Sequence, residues 1–331
     1  MIELSVIIPV YNVEKYIGSC VSSLYDQNMD LNIFEVIIIN DGSTDCSLLE
    51  IQKLARKYTN VIIIDQENKG LSATRNIGVS RASGRYIFFL DADDFIYPNS
   101  LQTLIEKAIQ FDLDVLRFDY WRVDETGRRL SQSDHLRKKS SFDSLLVDGL
   151  FLFKNIYNQE FFSCLSLVKR DLLLQKHLYF VEGMFFEDIE YSIKLSLVAM
   201  RAMYVASPIY AYRQHGGSIL HTFNKKKAED VILIVSNLQK YLDETSLDSE
   251  FKRIIKENIT QLMVSVLIKM ADSQLYNERN SLFQFMKMKH VKHLYPTSKK
   301  KELIISLLFN VLGINVVSIL HWIILLRGKI T

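Results

Sequence analysis

The 331-residue chain carries 40 Lys and Arg against 38 Asp and Glu, a formal net charge of +2, with 48% hydrophobic and 24% charged residues. These figures describe a globular protein with room for more than one domain. They exclude a disordered chain and give nucleic-acid binding as a main role no support. Cys20, Cys46 and Cys164 lack metal-ligand spacing, and no basic-then-apolar leader precedes the first strand pattern, so a reduced, cytosolic setting is the expectation.

"LSVIIPV" (4–10), "FEVIIIN" (34–40), "NVIIID" (60–65) and "RYIFFL" (85–90) are short apolar runs of the kind buried on both faces of a parallel sheet. Segments with helical spacing lie between them, "VEKYIGSCVSSLYDQ", "STDCSLLEIQKLARKY" and "LSATRNIGVSRA". Strand–helix alternation predicts right-handed βαβ units in a doubly wound α/β sheet. A helix is expected to open at Pro98, and a hairpin is expected around 125–127. Further on, 187–200 reads as a helix followed by a short strand pair ending at "IYAYRQH", and 225–290 as mostly helical. The expected divisions are a catalytic domain over 1–220, with halves 1–120 and 121–220, a helical extension over 221–298, and an apolar tail over 299–331.

The stretch "FFLDADDF" (88–95) poses a problem, because Asp91, Asp93 and Asp94 crowd three like charges after an apolar strand. A cation or a set of hydrogen-bond donors must face them. In an open α/β sheet the ligand crevice lies beyond the carboxyl ends of the strands. Asp41 follows the second strand, Asp91 the fourth, and the "PVYN" turn (9–12) ends the first. A divalent cation on a diphosphate would neutralise Asp91 and Asp93, although the same acidic turn is equally good capping chemistry for the next helix. Lys69, Gly70 and Arg75 in "NKGLSATRNIG" precede or open a helix and suit a phosphate, or simply lie at the surface. Neither G-x-G-x-x-G after the first strand nor G-x-x-x-x-G-K-[ST] occurs, which removes the main support for dinucleotide oxidoreductase and P-loop readings.

Taken in order, "SVIIPVYNVEKYIGSCVSSL", "EVIIINDGSTDCS", "ENKGLSATRNIGVSRASGRYIFFLDADDF" and "FFEDIEYSIKL" resemble the family 2 glycosyltransferases with the GT-A fold, over about the first 215 residues. The resemblance implies a Rossmann-like, mostly parallel nucleotide-binding sheet flanked by helices. It implies that Pro9, Tyr11 and Asp41 line the nucleoside pocket, that Asp91, Ala92 and Asp93 form the D-x-D segment binding ribose and Mn²⁺ or Mg²⁺, and that Asp188 is the general base. Arg213 and His215 in "YRQHGGSI" stand where polymerising members carry Q-x-x-R-W, which suggests transfer of a single sugar. They suit a diphosphate clamp or a polar turn equally. "ED" at 187–188 is by itself also ordinary helix capping.

The chemistry stands without the family. Loss of a nucleoside diphosphate builds charge that a metal on Asp91 and Asp93 offsets, and the attacking hydroxyl needs a base on the opposite face, Asp188, tuned by Glu187. One base and no enzyme-bound intermediate implies inversion. The expected donor is a UDP-sugar, and the expected acceptor a saccharide, free or polyprenyl-linked, in bacterial cell-surface polysaccharide or glycolipid synthesis. Rival readings are a nucleotidyltransferase, which lacks its basic glycine-rich loop here, and a catalytically silent membrane-bound scaffold of the same fold.

The tail, "LIISLLFNVLGINVVSILHWIILL" (303–326), contains no Asp, Glu, Lys or Arg and is flanked by "KKK" and "RGK". Ser306, Asn310 and Gly313 share one helical face, whereas Asn315, Ser318 and His321 or Trp322 define another, out of phase across "GIN". Two short amphipathic helices in the interface of an anionic cytoplasmic leaflet are expected, making the protein peripheral. A true span and a homodimer interface or core helix remain open alternatives.

Overall fold

The apolar runs form parallel strands β1 (Leu4–Val10), β2 (Phe34–Asp41), β3 (Val61–Gln66) and β4 (Tyr86–Phe89), joined by α1 (Ile17–Tyr25), α2 (Ser47–Lys57) and α3 (Leu71–Arg81). The computed structural model describes residues 1–132, 140–157, 160–216, 223–247, 249–272, 275–291 and 293–327. β1 is central. Leu4 lies opposite Phe34 of β2 on one side and Tyr86 of β4 on the other, with β3 outside β2. Every residue of β1 and β2 is buried, which is why neither alternates in polarity. β3 departs from that expectation as an edge strand with Ile62 43% exposed. The 3-2-1-4 order puts the topological switch between β1 and β4, and with it the crevice.

α3 crosses β1 closely at Gly78, where a Cβ would come within 2.3 Å of Ile7 Cγ2. The helix expected at Pro98 begins later, as α4 (Leu101–Gln110), because Asn99 takes φ +55°. Its first amides are satisfied from a distance: Gln27 Oε1 accepts from Ser100 N and Leu101 N at 3.0 Å each. After β5 (Phe95–Ile96), the expected hairpin forms from β6 (Val115–Val123) and β7 (Arg129–Gln132), with Gly127 at φ +86° in the turn. Then come β8 (Leu146–Val147), β9 (Ser166–Lys169), α5 (Arg170–Gln175), α6 (Glu187–Val198) and β10 (Ala202–Arg213). The strand pair expected after α6 is this single strand, parallel to β6 and irregular around Pro208, which has no amide to donate. Among the described residues the sheet runs β3-β2-β1-β4-β9-β6-β10-β5, with β7 on β6, β8 on β10, and β9 antiparallel to both its neighbours.

The chain divides into one unit of Met1–Gly183 with Glu187–Ser218 and a second of Met184–Phe186 with Ile219–Thr331. The second is helical: α7 (Lys225–Glu244), α8 (Ser249–Ala271), α9 (Arg279–Met288), α10 (Lys300–Leu312) and α11 (Asn315–Arg327). Its core includes Ile232, Val235 and Leu238 of α7 with Ile255, Ile259, Met263 and Leu267 of α8, each at most 1% exposed. The expected break at "GIN" is present, with Gly313 at φ +56° between α10 and α11. Ile305 and Phe309 of α10 and Val316 and Val317 of α11 are buried within this unit. Among the described residues no helix is long and apolar enough to cross a membrane, so the spanning alternative finds no helix to carry it.

Candidate active site

The loops after β1 and β2 lock together through Asn12, held at φ +53°. Its Oδ1 accepts from Thr44 N at 2.7 Å, and its own amide donates to Ser43 Oγ at 3.1 Å. Glu14 Oε2 accepts from Cys46 N at 2.7 Å, and Ser47 Oγ from Val13 N at 2.9 Å. Gly42, at φ +69°, passes so close to Asn68 that a Cβ would lie 2.8 Å from its backbone nitrogen. Pro9 is buried within β1, whereas Tyr11 just beyond it is 52% exposed at the mouth of the crevice.

Asp41 is only 4% exposed and organises the neighbouring loop. Its Oδ1 accepts from Gln66 Nε2 and Lys69 N, both at 2.8 Å, and its Oδ2 from Gly70 N at 2.9 Å. Gly70 takes φ +85° to make that turn, and the Lys69 side chain remains exposed. The backbone amides at 69 and 70 thus face a carboxylate rather than an open phosphate site.

Each of the three crowded aspartates has its own answer. Asp91 Oδ1 accepts from Arg75 Nη2 at 2.8 Å. Asp93 Oδ2 lies 2.8 Å from His215 Nε2, with the Tyr16 ring 5.1 Å from the imidazole. Asp94 is fully buried, accepting from Tyr210 Oη at 2.6 Å and Arg213 N at 2.7 Å. Burial, then repulsion from Asp93 and Asp91, pushes the Asp94 carboxyl well above the usual range. The recessed Asp93 carboxyl is raised as well, by desolvation and then by Asp91. Ala92 between them is buried.

Arg75 is 2% exposed, so it is no open phosphate clamp. Its Nη1 donates to Glu187 Oε1 at 2.6 Å and to Asp188 Oδ1 at 3.2 Å, opposite the bond to Asp91. One guanidinium therefore joins the D-x-D turn to the first turn of α6. Burial pulls the Arg75 pKa down, but Asp188, Asp91 and Glu187 together outweigh it and hold the group cationic. Glu187 is pushed up to about 7 by burial and then by the Asp188 charge. Asp188 is raised by burial despite Arg75, and its Oδ2 accepts from Ser163 N at 3.4 Å. Arg213 is also enclosed, donating through Nε to Asp93 O and through Nη1 to Glu125 O. The "HGG" loop beyond Gly216 lies outside the described residues.

The structure thus gathers Asp91, Asp93, Arg213 and His215 on one side of Arg75 and Asp188 on the other. It adds Asn12, Asp94, Ser163 and Tyr210, which the sequence reading did not assign. Asp94 carried a visible signal as the third charge in the cluster, whereas Ser163 and Tyr210 come from segments without a motif. Among the described residues no three His, Cys, Asp or Glu side chains form a metal cage. Asp91 and Asp93 nevertheless fit a divalent cation that arrives with a diphosphate: their side chains are 28% and 30% exposed, and one oxygen of each is engaged by Arg75 or His215. Mg²⁺ in particular binds through one or two carboxylates completed by phosphate and water.

Residues 5–171 match the family described as Glycosyl transferase family 2. The YibD glycosyltransferase of Escherichia coli K12 is 32% identical over 263 residues, 76% of each chain. Among solved structures, residues 1–349 of Staphylococcus aureus TarS in complex with UDP-GlcNAc superpose with a TM-score of 0.73 at 22% identity, covering 97% of this chain and 90% of that one. A mannosyltransferase of Pyrobaculum calidifontis in complex with GDP-Man and Mn²⁺ gives a TM-score of 0.53 at 15% identity, covering 93% and 87%. The fold is the GT-A fold, and the nucleotidyltransferase reading is set aside. This chain is a glycosyltransferase and belongs to family 2.

Proposed function

We propose that the protein transfers one sugar, with inversion, from a UDP-sugar to a hydroxyl of a saccharide acceptor. The acceptor is polyprenyl-linked, and the reaction serves bacterial cell-surface polymer synthesis at the cytoplasmic face of the plasma membrane. The observation that carries this reading is the Arg75 bridge, which sets the Asp91 carboxylate and the Asp188 carboxylate on two sides of one buried cation. The UDP-GlcNAc bound by TarS and the Mn²⁺ bound by the Pyrobaculum enzyme supply the donor and metal classes.

Asp91 and Asp93 would hold Mn²⁺ or Mg²⁺, whose chemistry is to offset charge on the departing diphosphate. Tyr11 stands exposed at the end of β1, where a nucleoside base could lie against its ring. Arg213 and His215 close the far side of the D-x-D turn. Asp188 takes the acceptor proton, and Arg75 together with the Ser163 amide fixes the direction of its oxygens. The Ser163 side chain is itself buried beside this carboxylate and lowers its pKa by hydrogen bonding.

The test is release of UDP from a panel of UDP-sugars with Mn²⁺ present, followed by product analysis at the anomeric centre. Inverted product confirms the single-base scheme. Retention would overturn the single-base scheme and leave a transferase, whereas no release from any donor, alone or with saccharide acceptors, would return the protein to a silent scaffold.

A further inference from the structure

The C-terminal helices carry apolar side chains both on the face packed into the fold and on the face turned to solvent. On α10 the polar side chains serve the protein. Ser306 is 1% exposed, and the Asn310 amide binds the Leu294 backbone in both directions, each at 2.8 Å. On α11, His321 Nδ1 lies 2.6 Å from Ala271 O and its ring stacks on Tyr276 at 3.7 Å, while Ser318 Oγ accepts from Tyr276 Oη at 3.3 Å. The apolar side chains divide: Ile305, Phe309, Val316 and Val317 are buried, and a second set points outward. Ile304, Leu307, Leu308 and Val311 recur at helical spacing along one stripe of α10 and are 58%, 54%, 36% and 82% exposed. Ile319 and Trp322 do the same on α11, at 42% and 66%.

Twenty large apolar side chains are exposed among the described residues, and nine of them lie between 304 and 324. That concentration marks a binding surface rather than scattered surface leucines. Lys300 and Lys301 are exposed and head the α10 stripe, one turn before Ile304. No acid occurs from 303 to 326, and the nearest, Glu302, is engaged by Lys299 at 3.6 Å and by Thr297. A second copy applied to this face would therefore bring further lysines and no carboxylates for them. A bilayer with anionic headgroups supplies both complements, phosphates at the rim and acyl chains beneath, with Trp322 suited to the boundary. The 13 residues of α10 reach about 20 Å, short of a ~30 Å hydrocarbon core, so they lie in the surface.

We propose that the outward stripe of α10 and α11, headed by Lys300 and Lys301, is a docking face for an anionic lipid bilayer, entered to the depth of the headgroup boundary. This deepens the membrane placement proposed above and is independent of the sugar chemistry. The buried Ile305, Phe309, Val316 and Val317, with the hydrogen bonds of Asn310 and His321, hold the helices in the fold while the outward apolar side chains insert.

Flotation of the purified chain with vesicles of phosphatidylglycerol and phosphatidylethanolamine, compared with pure phosphatidylcholine, tests this directly. The chain should float with the anionic vesicles. Leu307→Ser/Val311→Ser/Trp322→Ser should lower partition at least ~100-fold, with the melting temperature retained because all three sites face outward. Lys300→Ser/Lys301→Ser, a change confined to surface polar groups, should weaken anionic binding about fivefold per lysine and leave phosphatidylcholine binding unchanged. UDP binding, measured on the same preparations, should be equal in all three proteins. Its failure in the unaltered chain would count against the donor reading and leave the lipid surface standing. A chain that stays unbound with anionic vesicles overturns the proposal. If it is then a dimer by sedimentation equilibrium, and the triple variant a monomer, the occupant is a second copy.

Discussion

The strand-end crevice and the C-terminal helices break the same rule in opposite directions. Beside β4 the chain buries charge: Arg75, Asp94 and Glu187 are each at most 8% exposed. On α10 and α11 it exposes hydrocarbon. Water favours neither arrangement, and each persists because something other than water is its complement. In the crevice part of that complement is already present, since Arg75, His215 and Tyr210 answer the three aspartates. On the helices no part of it is. The crevice should therefore respond to mutation through chemistry and stability together, and the helix stripe through binding alone.

The largest effect is expected at Asp188. Asp188→Asn removes proton acceptance and keeps the shape, so kcat should fall by at least ~10²-fold while the UDP dissociation constant stays within about twofold. A steady-state assay paired with UDP titration checks this, and a variant retaining more than about a tenth of kcat moves the base to Glu187. Next, Phe309→Ala should cost about 3–5 kcal/mol in the helical unit, whereas Val311→Ser, two residues on and 82% exposed, should stay within about 0.5 kcal/mol. Denaturant melts of the two variants measure the inside–outside contrast on α10. A similar loss at both positions would mean that the stripe is covered.

Asp93→Ala should abolish stabilisation of the protein by UDP that depends on Mn²⁺, leaving the melt without ligand nearly unchanged because the carboxylate is partly exposed. Thermal melts with UDP and Mn²⁺, with and without EDTA, separate the two. Stabilisation that survives EDTA in the unaltered protein would dissociate the metal from the D-x-D turn.

The positions of the first, second and fourth strands were legible because full burial writes an unbroken apolar run, whereas β3 carries a similar run at a part-exposed edge and the 3-2-1-4 order came from the structure. The crevice residues were legible as types, not as partners. Arg75 looked like a phosphate ligand because cations before a helix often are, but its role depends on Glu187 and Asp188, more than a hundred residues away. No local pattern encodes such a contact. Asp41 was likewise visible, while the fact that it faces the amides of Lys69 and Gly70 was not. α4 was misplaced by three residues because its cap is the distant Gln27. In the tail the phase break was read correctly. Which phase faces inward depends on Leu294, Ala271 and Tyr276, residues outside the tail.

The smallest and most discriminating effect concerns pH. Glu187 has a folded pKa of about 7 against an ordinary 4.5, raised by burial and then by Asp188. Between those values the folded state holds more of the proton than the unfolded chain does, so stability falls as pH rises from about 4.5 to about 7. Glu187→Gln removes this dependence. The difference in stability between the variant and the unaltered protein should therefore shift in the variant's favour over that window and level off above it. Chemical denaturation at half-unit pH steps reads the slope. The exposed stripe carries no titratable group between Glu302 and His321, so Val311→Ser should give a curve parallel to the unaltered protein throughout. If Glu187→Gln ran parallel as well, the charge buried beside Arg75 would be settled by the ion pair alone, and the crevice would hold no proton in reserve.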